Sequence, residues 1–222
     1  MHPVAYIHND FKEKFGIPRQ SGLVSNVSCI TFVHPYDDPA ALRGIEEFTH
    51  LWLLWDFSES HRETFSPTVR PPRLGGNTRV GVFATRSPFR PNSIGLSCVK
   101  LLGTETKGKD GPKLYVQGAD LMDGTPIYDI KPYLPYADCI PEAKTGILGE
   151  TQDKTEEVLF ENIGPAEVQA GELEVIQEIL SRNPPPAYQG DQERIYGMKY
   201  GRFEVKFRRV KEKIYVQSIE SL

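Results

Sequence analysis

The stretch Arg79–Ser97, RVGVFATRSPFRPNSIGLS, is the most informative part of this 222-residue chain. It begins as a short apolar strand, passes through a loop with two arginines, and leaves through Gly95 into a second strand. Pro88 and Pro91 stiffen that loop and remove backbone hydrogen-bond donors. This order of strand, rigid loop and strand is typical of β structure, and it holds the loop side chains at a fixed place.

The sequence around this stretch favours a mainly β fold. Alternating or continuous apolar runs predict strands over Val24–Val33, Phe48–Phe57, Arg79–Phe83, Ser97–Leu102, Leu114–Val116 and Ala119–Met122. Asp38, followed by proline, predicts the start of a short helix through Ala40–Glu47. Many short strands with one small helix indicate a barrel or a sandwich, and strands do not alternate with long helices as in a doubly wound sheet.

The pattern changes after Tyr133. Helical spacing of apolar residues predicts a helix over Glu167–Arg182, which ends before a run of three prolines. Arg202–Val210 alternates and predicts a strand, with a return strand over Ile214–Ile219. We therefore expect three parts: a β core over 1–146, a connector over 147–164, and a small α+β domain over 165–222.

Composition excludes several classes of protein. The chain has 26 Lys+Arg and 30 Asp+Glu, a net charge of −4. Its longest apolar run, Leu51–Trp55, is five residues, against roughly 20 for a membrane-spanning helix. The first ten residues lack the basic and apolar regions of a secretory signal. Three scattered cysteines favour neither a disulfide framework nor a metal site. We expect a cytoplasmic protein without a membrane segment or a metal.

Basic residues concentrate in two zones. Residues 62–90 contain six arginines and one acid, and residues 199–213 contain seven Lys/Arg and two acids. An all-arginine zone favours forked recognition of carboxylate or phosphate, so Arg86 and Arg90 could form a clamp for an anion. Packing of an arginine on Phe89, or pairing with an internal acid, is the structural alternative. The second zone is equally consistent with a solvated face and with a polyanion contact.

Three shorter motifs are informative only together. Asp123–Pro126, DGTP, is a turn that exposes backbone groups and a hydroxyl. Pro18–Gln20 lies within KFGIPRQ, and His61-Arg62 follows the predicted strand Phe48–Phe57. Each of these, taken alone, is consistent with an ordinary turn or surface residue.

Three segments, RVGVFATRSPFRPNSIGLS, KFGIPRQ and DLMDGTPIYDIKPYLPYAD, resemble the TsaA-like family, typified by bacterial tRNA (adenosine) methyltransferases of the TrmO type. The resemblance covers Val4–Gly146, and NPPPAYQ with RIYGMKYGRFEVKF is similar to the tail of full-length bacterial members. It implies a small β-barrel, S-adenosylmethionine as cofactor, and a homodimer with the cofactor near the subunit interface. The implied reaction methylates the exocyclic amine of threonylcarbamoyl-adenosine, next to the anticodon of threonine tRNA.

The resemblance also implies which residues contact the cofactor. Carried over by position, they are Pro18, Arg19, Gln20, His61, Arg62, Arg86, Leu96, Asp123, Gly124, Thr125 and Pro126. We expect Arg86 to bind the carboxylate of the cofactor and Asp123 its ammonium or ribose hydroxyls. Leu96 would contact an adenine face, and the backbone of Gly124 and Thr125 would read the adenine edge.

The acceptor nitrogen must lose a proton, and Asp129 is the candidate proton acceptor, with Lys131 and Tyr133 as orienting groups. A structural or solvent-facing role for Asp129 and Lys131 is the alternative. The candidates for tRNA contact are Arg90, Arg202, Lys206 and Arg208. Those for base stacking are Tyr188, Tyr196 and Tyr200, with core packing expected for at least one of them.

Two other functions remain open at this stage. One is a nucleic-acid-binding module without chemistry, which would not bind the cofactor. The other is a methyltransferase with a different acceptor, since a fold does not fix the substrate. We expect removal of residues after Gly164 to abolish tRNA methylation and spare cofactor binding.

Overall fold

The computed structural model describes residues 1–71, 77–148, 155–161, 168–182 and 194–222. Within these residues the strands are β1 (Ala5–His8), β2 (Val27–Phe32), β3 (His50–Asp56), β4 (Thr68–Val69), β5 (Val80–Gly81), β6 (Ile94–Glu105), β7 (Lys113–Gln117), β8 (Pro126–Pro132), β9 (Glu157–Phe160), β10 (Ile195–Tyr200), β11 (Phe203–Val210) and β12 (Lys213–Ser221). The α-helices are α1 (Pro135–Asp138) and α2 (Ala170–Arg182). In these described ranges, no helix is long and apolar enough to cross a membrane.

Six strands close into an antiparallel barrel in the order β1-β2-β7-β6-β3-β8. The barrel closes because β1 pairs with both β2 and β8. Alternate residues point inward, so that Leu51 and Leu53 of β3 and Leu114 and Val116 of β7 are fully buried. The predicted mainly β fold with a barrel core is confirmed.

The segment Ala119–Met122 is irregular, and its prediction as a strand is wrong. Ala119 and Leu121 are buried, which produces the alternating pattern. However, their carbonyl groups accept hydrogen bonds from the side chains of Asn26 and Asn9, at 3.1 and 2.9 Å. Two asparagine side chains thus take the place of a neighbouring strand.

The two other predicted elements of the barrel half are shorter than expected. The helix predicted over Ala40–Glu47 consists of two 3₁₀ helices, Pro39–Leu42 and Ile45–Glu47, separated by Gly44 with φ +86°. Asp38 caps the first helix, as predicted, by accepting a 2.8 Å bond from the Ala40 backbone. The strand predicted over 79–83 is limited to β5 and continues as a 3₁₀ helix over Val82–Ala84.

The C-terminal residues form a four-stranded sheet in the order β10-β11-β12-β9, and α2 belongs to the same apolar core. The predicted hairpin is present as β11 and β12, with Phe203, Val205 and Phe207 buried. Strand β9 pairs in parallel with β12 although it lies within the predicted connector 147–164. Strand β9 has only four residues, and this is too short for its apolar pattern to predict a strand from the sequence.

The two cores are joined through the loop 9–25. Phe11 and Val24 of this loop lie in the C-terminal core, beside Ile176 and Phe203. Hydrogen bonds reinforce the contact: Ser25 donates from its backbone N and Oγ to Glu178 Oε2, at 2.6 and 2.7 Å. Contacts with the C-terminal core and with α2 therefore hold the loop that carries Pro18–Gln20 in place.

Candidate active site

The arginine–proline loop is braced from within by Arg90. Its guanidinium donates to the carbonyl oxygens of Val82 and Thr85, at 3.1 and 2.8 Å, and lies 5.6 Å from the centre of the Phe83 ring. These bonds tie the loop to the preceding 3₁₀ helix. Arg90, predicted to contact tRNA, is thus a half-buried brace in this structure, and its contribution to tRNA binding stays a prediction.

Arg86 is exposed and reaches the N-terminal loop. Its Nη1 donates a short hydrogen bond to Oε1 of Gln20. The structure therefore brings together two sequence motifs that are 66 residues apart, Pro18–Gln20 and the arginine loop. Pro18 is buried and Arg19 is exposed beside them. The guanidinium is placed where an anionic ligand could reach it.

A buried carboxylate, which the sequence did not single out, lies behind Arg86. Asp120 Oδ1 accepts a 2.5 Å hydrogen bond from Ser97 Oγ, which itself accepts one of 2.9 Å from the Trp55 indole. The backbone N–H of Ser21 also donates to this carboxylate. Burial raises the pKa of Asp120 to about 6, although the Ser97 bond and the charge of Arg86 oppose the rise. A single aspartate within an apolar run gave no signal of this role.

Asp123 lies at the centre of a second charged group. Its Oδ2 is 2.7 Å from Lys12 Nζ, and its Oδ1 accepts a 3.0 Å bond from the Asn9 backbone and lies 3.8 Å from His8 Nδ1. Burial alone would raise the pKa of Asp123, but the bonds from Lys12 and Asn9 outweigh it and hold the pKa below its usual value. A ligand ammonium at Asp123 would therefore share the carboxylate with Lys12.

The DGTP turn is confirmed, with Gly124 at φ +75° and its outer side open. The Gly124 N–H donates to the carbonyl of Ile7, at 2.8 Å, and the Thr125 N–H to that of Met122, at 3.2 Å. These two N–H groups are used within the fold. The reading of an adenine edge by backbone groups of Gly124 and Thr125 stays a prediction. Pro126 follows them as the first residue of β8.

His61 and Arg62 connect the barrel to the arginine loop. His61 Nε2 is 2.8 Å from Asp56 Oδ1, at the end of β3. The Tyr128 hydroxyl also bonds Asp56, and burial together with this carboxylate raises the pKa of Tyr128. The Arg62 guanidinium lies 3.5 Å from the centre of the Phe89 ring. The sequence left open that an arginine packs on Phe89 instead of binding an anion. In the structure Arg62 is the arginine that packs there.

The outer face of the barrel places Leu96 and Asp129 in one row. Both residues are paired with Leu54 of β3, from opposite sides, which separates their Cα atoms by roughly 10 Å. A bulge gives β8 one extra residue, Tyr128, so that Asp129 faces outward instead of into the barrel. Leu96 is 55% exposed. The candidate proton acceptor and the candidate adenine contact therefore share a surface.

Lys131 and Tyr133 continue this outer face. Lys131 Nζ is 2.7 Å from Asp129 Oδ2, and both side chains are about half exposed. Tyr133 packs on Trp52, with ring centres 5.6 Å apart, and its hydroxyl bonds Cys139. The structure thus brings Asp129 and Lys131 together, whereas the Tyr133 hydroxyl is engaged elsewhere.

The basic row of the C-terminal hairpin is neutralised by nearby acids. Its three pairs are Arg202–Glu172 at 3.4 Å, Lys206–Glu220 at 3.0 Å and Arg208–Glu161 at 2.9 Å. Among the candidate stacking residues, Tyr200 is buried in the core, Tyr196 packs on Phe207, and Tyr188 lies outside the described residues. Tyr200, only 5% exposed, is not available for base stacking, and the core packing expected for at least one of these tyrosines applies to it.

The donor set fits S-adenosylmethionine. Arg86 offers an exposed guanidinium for the carboxylate, Asp123 a carboxylate for the ammonium, and Leu96 an apolar surface for the adenine. Asp120, whose carboxylate interacts with the charge of Arg86, and Asp123 belong to the same short segment, 119–123. In the described ranges, no cluster of three or more His, Cys, Asp or Glu could hold a metal ion.

Comparisons with known proteins identify the family of the chain. The tRNA-methyltransferase O N-terminal domain matches residues 6–139, and the C-terminal domain of the same family matches residues 157–222. The chain is 40% identical over 218 residues to the tRNA (adenine(37)-N6)-methyltransferase of Escherichia coli, covering 92% of this chain and 91% of that protein.

A second relative is the putative S-adenosylmethionine-dependent methyltransferase RcsF of Pseudomonas aeruginosa, 40% identical over 209 residues, 90% of this chain and 86% of that protein. The crystal structure of TrmO from the same organism superposes with a TM-score of 0.80 at 31% identity, covering 100% of this chain and 98% of that one. The chain belongs to the tRNA-methyltransferase O family.

Proposed function

We propose that this chain transfers a methyl group from S-adenosylmethionine to the N6 amine of the adenine that follows the anticodon of a tRNA. The observations that carry the proposal are the hydrogen bond that joins Arg86 to Gln20 and the row on the barrel face that holds Leu96 and Asp129. The relatives named above supply the reaction type. The preferred acceptor is adenine that carries a threonylcarbamoyl group, in threonine tRNA.

The cofactor side of the site is built from three segments of this chain. Arg86 binds the carboxylate, Gln20 orients Arg86 through their hydrogen bond, and Leu96 covers the adenine. Asp123, with Lys12, binds the ammonium end. When bound, S-adenosylmethionine supplies a methyl carbon that is already electrophilic, so positioning of the acceptor is the main task of the protein.

On the acceptor side, Asp129 accepts the proton that the amine loses. The ion pair with Lys131, 2.7 Å long, directs the carboxylate along the barrel surface. Replacing Asp129 with Asn removes the acceptor and should lower turnover at least tenfold without changing cofactor affinity. Unchanged turnover of this variant would leave Asp129 with a structural role only.

The tRNA surface includes the arginine loop and the hairpin row. Each hairpin cation must leave a carboxylate partner before it binds a phosphate, so it contributes little to the affinity for tRNA. This contribution depends on the salt concentration. The combined reversal of Arg202, Lys206 and Arg208 to Glu tests this surface, by filter binding of tRNA at several salt concentrations. We expect weaker binding, and a shallower dependence of affinity on salt.

A second copy of the chain completes the site. Apolar side chains are exposed next to it, among them Leu96 at 55% and Phe83 at 73%, which is typical of an oligomer interface. The domain boundaries 1–146, 147–164 and 165–222 and a cytoplasmic location are part of the same proposal. Because Phe11 and Val24 lie in the C-terminal core, truncation after Gly164 would expose them and disturb the cofactor loop. The truncated chain is therefore a poor test of tRNA binding.

The decisive experiment is transfer of a labelled methyl group from S-adenosylmethionine to purified threonine tRNA, with and without the threonylcarbamoyl group. Label in the modified tRNA alone supports the full proposal. Label in both tRNAs removes the threonylcarbamoyl requirement. Cofactor binding without label in either tRNA would move the acceptor to another molecule.

A further inference from the structure

Asp120 bonds one of the segments that are assigned to the cofactor and interacts with the charge of the other, although it belongs to neither. Its carboxylate accepts from the backbone N–H of Ser21, the residue after Gln20, and lies close enough to Arg86 for the two charges to interact. Ser97, on β6, fixes the other side through the 2.5 Å bond. One side chain thus connects the N-terminal loop, the arginine loop and the barrel wall.

The support behind Asp120 is rigid. Ser97 is almost fully buried, and its hydroxyl accepts the indole N–H of Trp55, itself 5% exposed. The Ser21 hydroxyl accepts the backbone N–H of Cys98, at 3.0 Å, which attaches the loop to the same strand. A change in the carboxylate would therefore act on Ser21 and Arg86, while Ser97 and Trp55 keep their places.

We propose that Asp120 is a positioning residue, whose ionised carboxylate orients Arg86 and the Pro18–Gln20 segment for binding of the cofactor carboxylate. This inference rests on the proposed function. The groups around its carboxylate are the Ser97 hydroxyl, the backbone N–H groups of Ser21 and of Asp120 itself, and the charge of Arg86.

The electrostatics of the group supports such a role. Burial raises the pKa of Asp120 to about 6 in the folded protein, against 3.8 for the ordinary side chain. The folded state therefore binds more protons than the unfolded state between these values, and stability falls as pH rises from 4 to 6. Burial thus disfavours the ionised carboxylate at neutral pH, and the bonds from Ser97 and Ser21 and the charge of Arg86 offset part of this effect.

The variant Asp120→Asn separates positioning from structure. The amide keeps the shape and can still accept from Ser97, but it lacks the charge that attracts Arg86. We expect its dissociation constant for S-adenosylmethionine, measured by calorimetry at pH 8, to rise about tenfold. Its free energy of unfolding at pH 8 should equal or exceed that of the unchanged protein, an outcome that a purely structural residue would not give.

The pH profile gives a second readout. Affinity of the unchanged protein should fall below about pH 6, and this step should be absent in Asp120→Asn. His8 and His61 are the same in both proteins, so a step that disappears belongs to Asp120. Asp110→Asn, at an exposed loop residue paired with Lys113, is the matched control and should change neither property.

Cofactor affinity of Asp120→Asn equal to that of the unchanged protein, or the same pH profile, would overturn the inference. A parallel loss of stability and affinity would also overturn it, because Asp120 would then be structural. If the unchanged protein binds no S-adenosylmethionine, the proposed function fails and the inference fails with it. Equally tight binding by both proteins refutes only the inference.

Discussion

Replacement of Gly95 with Ala should strongly destabilise the barrel. Gly95 of β6 lies opposite Trp55 of β3, and the indole covers it. A Cβ at Gly95 would lie 2.2 Å from Cε2 and 2.5 Å from Cδ2 and Cζ2 of that indole. The ring cannot move freely, because it packs on Phe57 at 4.1 Å between centres and donates to Ser97. The ring must be displaced by more than an ångström.

The magnitude follows from these contacts. Overpacking of a filled core costs about 1–3 kcal/mol, and loss of the Trp55–Ser97 bond, which leaves a buried N–H without an acceptor, costs about 1–3 kcal/mol more. We expect the free energy of unfolding to fall by about 2–6 kcal/mol. Urea unfolding followed by tryptophan fluorescence suits this test, because both tryptophans of the chain, Trp52 and Trp55, lie on β3.

Gly103→Ala is the matched control, since Gly103 lies on the same strand and an added Cβ there meets no atom within 4 Å. Its unfolding free energy should stay within about 0.5 kcal/mol of the unchanged protein, or rise slightly through a less flexible unfolded chain. If Gly95→Ala loses no more stability than Gly103→Ala, the indole moves without cost. The argument from close packing would then be wrong.

Three further predictions concern charged groups. Arg86→Ala should weaken binding of S-adenosylmethionine by about 10- to 100-fold in calorimetry, because a forked, charge-assisted contact is lost. Glu156→Gln should lower the free energy of unfolding by about 1–3 kcal/mol in urea titration, since Arg209, paired with it at 2.5 Å and mostly buried, would lose its partner. Lys12→Ala should raise the pKa of Asp123 in an NMR titration, because Lys12 helps to hold that pKa below its usual value. The variant should also lose less stability than the unchanged protein when the pH falls below about 4. An unchanged binding constant, unfolding energy or pKa would contradict the respective prediction.

The sequence predicts well those strands that carry a clear apolar pattern. Leu51–Trp55 of β3 is a continuous apolar run, and Phe203, Val205 and Phe207 alternate with polar residues on β11, so both strands were predictable. The false strand at Ala119–Met122 has the same pattern. Its backbone, however, bonds asparagine side chains from more than 90 residues away, and periodicity does not contain that information. The local pattern of apolar residues indicates which side chains are buried. Which groups the backbone hydrogen-bonds to depends on residues that are distant in the sequence.

The same distinction applies to the candidate site. The sequence pointed to Arg86, Gln20 and Asp129 because the motifs that contain them are distinctive, and the structure brings Arg86 and Gln20 into contact. Asp120 was missed because nothing in its neighbourhood distinguishes it from a turn residue. The row at Arg202, Lys206 and Arg208 seemed open because their acids come from other elements, at Glu172, Glu220 and Glu161.

The loop 9–25 explains why the two cores of this protein depend on each other. One side of the loop supplies Phe11 and Val24 to the C-terminal core, and the other supplies Gln20 and Ser21 to the candidate site. Unfolding of the C-terminal core would expose two buried apolar side chains and release the backbone that binds the Asp120 carboxylate. Cofactor binding should therefore stabilise the C-terminal core as well as the barrel, since a ligand that binds only the folded loop favours every contact that keeps the loop in place.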